Sequence, residues 1–527
     1  MLQTPRSLRG MVTSPHHLAS EAGLRVLRDG GNAVEAAVAV AATLAVVYPH
    51  MTSIGGDGFW LIAELGKDPV AVDACGATGA AVGASLYAGH DAIPWRGPLA
   101  ANTVAGTLSG WQAALDQAAG WGTALPLARI LEDAIAHAEG GFAVTESQAE
   151  LTAAKLPELA GVSGFADQFL VDGQAPRAGS VMRLPALGAT LRRIAERGPE
   201  DFYTGETARL IADDLARAGA PVTADDLARH RAQVRQPLSV AVRGARLFNF
   251  PPPTQGIASL LILALFDRLG VGEAEGFDHI HGLVEATKQA FLVRDRVAVD
   301  PAYCPHDPQS FLAEESLARL AARIDRRRAL PWPAPASAGD TVWLGVIDGA
   351  GRSVSMIQSI FFEYGSGVVL PQTGIVWQNR GSSFQLADGA VNALKPGRKP
   401  FHTLNPAAAR FDDGRSMVYG TMGGEGQPQT QAAVFSRYGL FGQPLQQAVT
   451  APRWLLGRTW GEQSVSLKLE SRFDPALLQA LRDAGHDVEV LPAFTATMGH
   501  AGAIVRRPDG VLEGATDPRS DGAVASY

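Results

Sequence analysis

Apolar residues recur with a helical period along much of the first three hundred positions. The stretch SPHHLASEAGLRVLRDGGNAVEAAVAVAATLAVVYPH predicts two helices, the first ended by Gly30–Gly31 and the second capped by Asn32. A glycine turn in TSIGGDGFWLIAEL then leads into a strand, and PVAVDAC is its predicted hairpin partner. Residues 104–240 are predicted to be mostly helical, and they are followed by the strand-like LSVAVRGARLFNF, the rigid turn PPPTQG and two further helices.

The pattern changes beyond a loop-rich segment at 305–340, which ends in a Pro-, Ala- and Ser-rich linker. From Thr341 onward, short strands alternate with turns, as in TVWLGVIDGAGRSVSMIQS and SMVYGTMGG. A helix, QPQTQAAVFSRYGLF, and further short strands complete the chain. A helix-rich part followed by a strand-rich part predicts an α+β fold in which helices and sheets form separate layers.

Composition narrows the classes of partner. The 527 residues are 46% hydrophobic and 19% charged, which is typical of a globular protein with an ample core. The formal charge of −8 is spread along the chain without a long basic block, so we expect no nucleic-acid partner. The N-terminus lacks the apolar core of a signal peptide, and the apolar run 33–48 contains Glu35. We therefore expect a cytoplasmic protein that does not bind membranes.

Most familiar catalytic signatures are absent from the sequence. It contains no P-loop, no H-E-x-x-H, no C-x-x-C and no G-x-S-x-G, and its two cysteines, Cys75 and Cys304, cannot form a four-ligand zinc site. The residue that remains is Thr341, where the linker meets a strand. A free α-amine on the same residue, with a pKa of about 7.7–8.0, can act as base for a threonine hydroxyl. Thr341 acquires that amine only if the chain is cut after Asp340; otherwise it is simply the start of a strand.

Two further features fit such chemistry, although each has a structural explanation. Gly423 and Gly424 precede a predicted helix. Either their N–H groups converge there on an oxyanion, or the two glycines only form the turn into the helix. Arg380 lies in a polar turn after an apolar strand. There it would either bind a carboxylate through its guanidinium or be an ordinary cation on the surface.

Several motifs together resemble the γ-glutamyltransferase family of N-terminal nucleophile hydrolases over nearly the whole chain. They include SIGGDGFWL, PPPTQG, EATKQAFLVRDR, GDTVWLGVIDGAGRSVS, GTMGGEGQPQTQ and ATDPRSDG. The resemblance implies a four-layer αββα sandwich and a precursor that cleaves itself between Asp340 and Thr341. The products, residues 1–340 and 341–527, would stay together as large and small subunits of one fold.

The same resemblance implies roles for individual residues. Thr341 would be the nucleophile and its α-amine the base, Ser359 would supply the second hydroxyl that orients the nucleophile, and Gly423 and Gly424 would form the oxyanion hole. Neither a metal nor an organic cofactor is implied. Dimers of the two-subunit unit are plausible.

Most of the residues by which the family binds a γ-glutamyl substrate are replaced in this sequence. The family's glutamate-binding arginine aligns with a thiol, and its asparagine after the second hydroxyl aligns with a phenyl ring. The replacing residues, in chain order, are Cys75, Phe361, Arg380, Ser383, His402 and Thr403. A cation now stands where the family binds an ammonium group, which disfavours ordinary γ-glutamyl transfer.

These replacements imply a small anionic amide as the substrate. Arg380, assisted by His402 and Thr403, would hold its carboxylate, while Cys75 is either part of the site or a packing residue. Several segments look most like family members that hydrolyse oxamate to oxalate and ammonia. A γ-glutamyltransferase-like hydrolase, a glutaryl- or cephalosporin-type acylase, and a non-catalytic scaffold that binds anions stay open as alternatives.

Overall fold

The computed structural model describes residues 3–122, 124–332, 340–457 and 464–527, and at residue 340 it describes the backbone alone. The linker predicted at 333–339 lies outside the described residues. The strands, numbered along the chain, are β1 (Arg6–Ser7), β2 (Gly10–Ser14), β3 (Asp57–Ala63), β4 (Val70–Ala74), β5 (Phe142–Ala143), β6 (Val181–Met182), β7 (Gln233–Arg235), β8 (Leu238–Val242), β9 (Ala245–Asn249), β10 (Asp340–Asp348), β11 (Ser353–Phe361), β12 (Val369–Leu370), β13 (Ile375–Val376), β14 (Ala407–Phe411), β15 (Ser416–Thr421), β16 (Trp454–Leu456), β17 (Leu467–Glu470), β18 (Val488–Leu491), β19 (Ala501–Arg506), β20 (Leu512–Thr516) and β21 (Ala523–Ser526).

The α-helices follow the same numbering. They are α1 (His17–Arg28), α2 (Ala33–Val47), α3 (Thr107–Gln117), α4 (Leu127–Ile130), α5 (Glu132–Gly140), α6 (Glu146–Leu159), α7 (Phe165–Phe169), α8 (Pro185–Arg197), α9 (Asp201–Thr204), α10 (Glu206–Ala218), α11 (Ala224–Arg229), α12 (Gly256–Arg268), α13 (Phe277–Val297), α14 (Glu314–Ala321), α15 (Gln427–Phe435), α16 (Leu445–Thr450) and α17 (Pro475–Asp483).

Two seven-stranded antiparallel sheets form the centre of the molecule. The Thr341 sheet has the order β21-β2-β10-β11-β3-β4-β7, and the second sheet has the order β1-β20-β19-β15-β14-β9-β8. The sheets pack face to face, with β10 against β15 and β19. Helices α1 and α2 cover the outer face of the Thr341 sheet, while α12, α15 and α16 cover the second sheet and α13 packs on α12. The predicted α+β class and four-layer αββα sandwich are confirmed.

Helix α2 is hydrophobic on every side because it lies wholly inside the protein. All 15 of its residues are buried, including Glu35, whose side chain closes a capping box with Asn32. The predicted cap is therefore correct, and a helix that is apolar all round is the type expected in a core. Gly23 of α1 lets the two helices approach closely, since a Cβ there would lie 2.5 Å from a methyl group of Val40.

Trp343 of β10 fills the space between the two sheets. Its indole Nε1 donates to Ser355 Oγ at 3.0 Å on the neighbouring strand. Glycines of the facing strands make room for the ring: a Cβ at Gly420 would lie 2.2 Å from it, and one at Gly502 2.4 Å. The large indole of Trp343 thus fits the space that these glycines leave by having no side chain, as close packing between sheets requires.

Both sheets contain strands from each side of the linker. Strands β1 to β9 precede it and β10 to β21 follow it, and the Thr341 sheet places β10 and β11 between β2 and β3. Residues before and after 340 thus build one fold together. One element differs from expectation: LSVAVRGARLFNF is not a single strand but a hairpin, β8 and β9, because Gly244 turns the chain at a φ of +73°.

No helix within the described ranges is both long and apolar enough to cross a membrane.

A buried ionic network ties the C-terminal part of the chain together. Asp517 pairs with Arg453 and, at 3.0 Å, with Arg519, and its Oδ2 also accepts from the N–H of Ala501 at 2.6 Å. Arg519 in turn pairs with Glu470 at 2.5 Å. All four charged side chains are at most 1% exposed.

Replacing Asp517 by alanine should lower the free energy of unfolding by about 3–5 kcal/mol, because it leaves two buried guanidinium groups without their shared acid. Denaturant unfolding followed by fluorescence measures the change. The matched control is Asp509→Ala, which removes an exposed partner of Arg507 and should cost less than about 1 kcal/mol. Equal effects of the two substitutions would contradict the structural role given to the network.

Candidate active site

Three neighbouring strands align Thr341, Ser359 and Asp57 in one row. In the β10–β11 ladder, Asp340 pairs with Phe361 but Val342 pairs with Gln358, so two residues of β11 face Thr341 alone. Such a bulge is common beside active sites, where it turns a side chain towards the ligand. On the other side of β11, Ser359 pairs with Asp57 of β3.

The two hydroxyls of this row lie close together in a buried site. Thr341 Oγ1 is 3.4 Å from Ser359 Oγ, and Gln427 Nε2 donates to Thr341 Oγ1 at 3.3 Å. Ser359 Oγ accepts the N–H of Phe361 at 2.8 Å, which orients it. Both hydroxyl residues are buried, so the structure brings the predicted nucleophile and its predicted partner together.

Gly423 and Gly424 form the turn between β15 and the helical segment that follows. Their φ angles are +116° and +52°, in the region that favours glycine. Neither N–H donates to another residue of the described ranges, while the carbonyl of Gly423 accepts from Gly426 at 2.8 Å. Two free amides in one turn are a suitable pair of donors for an oxyanion.

Gln255 connects this turn to the predicted substrate-binding segment. Its Nε2 donates to the carbonyl of Gly424 at 2.8 Å and to that of Thr403 at 2.9 Å. The Oε1 atom accepts from Arg294 at 3.3 Å, which fixes the amide orientation. Gln255 therefore sets the distance between the turn at Gly423 and Gly424 and the chain around Thr403.

Arg380 is a fully buried cation that bonds only neutral acceptors. Its guanidinium donates to the carbonyl of Phe401 at 3.3 Å and to Thr403 Oγ1 at 3.1 Å, and its Nε has no hydrogen-bond partner among the described residues. The Phe361 ring lies against it, 3.6 Å from Cζ to the ring centroid. Burial lowers the pKa of Arg380 to about 9, against the opposing effect of Asp57. A buried guanidinium with donors to spare is suited to bind an anion.

His402 forms a buried pair with Asp57. The distance from Nε2 to Asp57 Oδ2 is 2.9 Å, and Nδ1 has no partner within the described part of the chain. Burial, Arg380 and Lys399 hold the pKa of His402 well below its usual value, so the ring is neutral. Burial raises the pKa of Asp57 to about 7 in spite of hydrogen bonds and Arg380, which favour the carboxylate.

The remaining predicted site residues lie beside this cluster. Cys75 is fully buried, burial raises the pKa of its thiol well above the usual value, and its Sγ is 3.6 Å from the carbonyl of Gly76. The residue also lines a neighbouring cavity of about 420 Å³, together with Lys399. Ser383 is half-buried and its Oγ donates to the carbonyl of Phe401 at 3.4 Å, the same acceptor that Arg380 uses.

Among the residues that the structure describes, two clusters hold three metal-type donor atoms within 4.8 Å of one another. They are Asp57, Cys75 and His402, and His281, Glu285 and His486. In the first, the Asp57–His402 hydrogen bond and the adjacent Arg380 cation favour hydrogen bonding over metal binding. In the second, His281 Nδ1 lies 2.8 Å from His486 Nε2 and Glu285 binds Lys288 at 2.6 Å.

The sequence interpretation did not identify Asp57, Gln255 or Gln427 as site residues. A lone acid in the glycine turn SIGGDG was the available signal for Asp57, because a carboxylate in a tight turn before a buried strand needs buried partners. No periodicity or spacing distinguishes the two glutamines.

The chain matches a known protein family and several known proteins over nearly its whole length. The gamma-glutamyltranspeptidase family model matches residues 19–527. The chain is 56% identical over 522 residues to the oxamate amidohydrolase proenzyme of Klebsiella pneumoniae, with 99% of both chains covered. It is 42% identical to the glutathione hydrolase-like YwrD proenzyme of Bacillus subtilis, with 97% of both covered. The crystal structure of a cephalosporin acylase from Bacillus halodurans matches with a TM-score of 0.92 and 33% identity, over 100% of this chain and 97% of that one.

Proposed function

Because the chain belongs to the gamma-glutamyltranspeptidase family of N-terminal nucleophile hydrolases, we propose that it hydrolyses a small anionic amide, with oxamate as the preferred substrate. The products would be oxalate and ammonia. Residues 1–340 and 341–527 would be the large and small subunits of the cleaved enzyme. The likeness to an oxamate amidohydrolase proenzyme supports both parts of the proposal.

The observation that carries the substrate assignment is the environment of Arg380. Its guanidinium contacts the Phe361 ring, and the Phe361 N–H binds Ser359 Oγ, which lies 3.4 Å from Thr341 Oγ1. A buried cation therefore lies a few contacts from the nucleophile without an ion-pair partner among the described residues. A carboxylate close to the reacting carbonyl satisfies it, and in oxamate the two groups are directly bonded.

The first step of the mechanism is self-cleavage. Thr341 Oγ1 attacks the carbonyl carbon of Asp340, and the peptide bond is converted into an ester. Water hydrolyses this ester, which leaves a carboxylate on Asp340 and a free α-amine on Thr341. The new amine lies on the same residue as the hydroxyl that it activates.

The second step is hydrolysis of the bound amide. The Thr341 amine accepts the hydroxyl proton as Oγ1 attacks the amide carbon, and the N–H groups of Gly423 and Gly424 bind the resulting oxyanion. Ammonia leaves with that proton, and water then attacks the ester to release the acid. Arg380, with Thr403 and His402 beside it, holds the carboxylate throughout.

A cephalosporin- or glutaryl-type acylase is the second candidate. The whole-chain likeness to the cephalosporin acylase structure favours it, and such substrates also carry an anion that Arg380 would bind. The two functions differ in the length of acyl chain accepted. The cytoplasmic location and the association of two-subunit units stay predictions.

Thr341→Ala should leave a single band near 55.3 kDa on a denaturing gel, because the substitution removes the attacking hydroxyl. The wild-type chain should give two smaller bands. Thr43→Ala, at a buried hydroxyl of α2 that bonds no described residue, is the control and should be cut normally. A cut Thr341→Ala chain would refute self-cleavage at this residue.

Arg380→Gln should reduce kcat/KM for oxamate by about 100-fold or more, because it removes the charge that binds a desolvated carboxylate. Steady-state ammonia release measures the effect, and gel analysis should show unchanged self-cleavage. Arg410→Gln, at an exposed pair with Asp68, is the matched control and should behave as wild type. An unchanged kcat/KM in Arg380→Gln would remove this residue from the site.

Purified wild-type protein should release ammonia from oxamate faster than it releases p-nitroaniline from a γ-glutamyl anilide or glutarate from a glutaryl amide. The reason is that Arg380 binds a carboxylate next to the amide but repels an ammonium group. Initial rates at equal low concentrations decide the order. Faster γ-glutamyl cleavage would favour the transferase function, and faster glutaryl cleavage would favour the acylase.

A further inference from the structure

The two oxygens of Asp57 have different surroundings. Oδ1 accepts from the N–H groups of Gly76 at 3.0 Å and Gly106 at 3.1 Å, and from Gln378 Nε2 at 3.2 Å. Three donors leave no room for a proton on this oxygen. Any proton bound by the Asp57 carboxyl must therefore lie on Oδ2, which faces His402 Nε2 at 2.9 Å.

This arrangement couples the protonation of the two ring nitrogens of His402. The proton in the Nε2–Oδ2 hydrogen bond decides whether Nδ1 carries a proton. When Asp57 is ionised, the neutral ring donates from Nε2 to Oδ2, and Nδ1 carries a lone pair that cannot donate. When the pair holds one more proton, Nε2 and Oδ2 share one proton and Nδ1 carries the other. Nδ1 is the nitrogen without a partner in the described part of the chain, and it becomes a donor only in this second state.

Arg380 lies along the segment that carries His402. Its guanidinium bonds Phe401 and Thr403, the residues on either side of His402 in the chain. With Asp57 ionised, the charges of Arg380, Asp57 and His402 sum to zero. A carboxylate that enters this buried cluster leaves one uncompensated negative charge, and uptake of one proton restores neutrality.

We propose that binding of the substrate carboxylate at Arg380 is coupled to the uptake of one proton by the Asp57–His402 pair. His402 Nδ1 then donates a second hydrogen bond to the carboxylate. Asp57 is a positioning residue in this scheme, since it acts on the substrate only through His402. The inference rests on the proposed function, because it takes Arg380 as the carboxylate site.

The charged and titratable groups around the pair set the pH range. Arg380 and Lys399 act on His402, while Arg380, Cys75 and Tyr203 interact electrostatically with Asp57. Asp73 on β4 is held by Lys399 at 2.9 Å and acts on Cys75. The pKa of Asp57, raised to about 7 by burial, means that the free pair lacks the extra proton above that pH. Carboxylate affinity therefore decreases as pH rises above about 7, by up to tenfold per pH unit for one proton.

The test uses Asp57→Asn in the cleaved enzyme. The three donors around Oδ1 require the amide oxygen, so the new NH₂ group must donate to His402 Nε2. His402 is then fixed with its proton on Nδ1 and donates without taking up a proton. The Kd of oxalate, which carries carboxylates but no reacting amide, is measured by calorimetry from about pH 7.5 to 9. We expect the ratio of the wild-type Kd to the variant Kd to increase about tenfold per pH unit.

The comparison between variants separates this pair from other titrating groups. The α-amine of Thr341 titrates in the same range, but it is present in both proteins and cancels in the ratio. Asp73→Asn, at a neighbouring buried acid that does not bond His402, should keep the wild-type pH dependence. If Asp57→Asn does not fold, Asp57→Ser removes the same titrating carboxyl and should also lose the dependence.

The outcomes separate this inference from the function on which it rests. A Kd ratio that does not change with pH would overturn the coupling, and so would failure to bind oxalate in an enzyme that hydrolyses oxamate. Calorimetry in buffers of different ionisation enthalpy should show wild type taking up about one proton more than Asp57→Asn at pH 8. A wild-type protein that neither binds oxalate nor hydrolyses oxamate would instead refute the proposed function.

Discussion

The register between three strands, β10, β11 and β3, determines the geometry of the site. One extra residue in β11 aligns Thr341 with Ser359, and the next ladder aligns Ser359 with Asp57. A shift of one residue in either ladder would point these side chains to the opposite faces of the sheet. The glycine turn before β3 serves the same register, because a Cβ at Gly56 would lie 2.1 Å from the carbonyl of Ser359.

The charged groups beside this row leave Arg380 without an ion-pair partner among the described residues. Arg380 bonds neutral acceptors, and Asp57 is committed to backbone amides and to His402. Each of these buried charges is costly unless it is matched. Under the proposed function, Thr341 and the two glycines would set the type of reaction and Arg380 and His402 would select the substrate, so reaction type and substrate choice would be carried by different residues.

Sequence reasoning predicted those parts of the fold that depend on local pattern. The two N-terminal helices, the β3–β4 hairpin and the cap at Asn32 follow from periodicity and turn residues and are confirmed. Thr341, Ser359 and the two glycines were predicted through family motifs, and the structure brings them into one region. No local pattern predicts the positions of Asp57 and Gln427, because their contacts are distant in sequence. Asp57 lies 345 positions from its partner His402, and Gln427 lies 86 positions from its partner Thr341. The alternation in LSVAVRGARLFNF continues across Gly244 and therefore predicts one strand where the structure has the β8–β9 hairpin.

The interleaving of strands from both sides of the linker determines how the protein can refold before and after a cut at Thr341. As a single chain, the protein folds in a first-order process, since every strand is tethered to its neighbours. A cut before Thr341 would leave β10 and β11 hydrogen-bonded between β2 and β3 but joined to them by no covalent bond. Unfolding would then separate two polypeptides, and recovery would become second order and depend on their concentration. The cleaved molecule would persist mainly because it unfolds slowly. Folding itself would take place only once, in the uncut chain before cleavage.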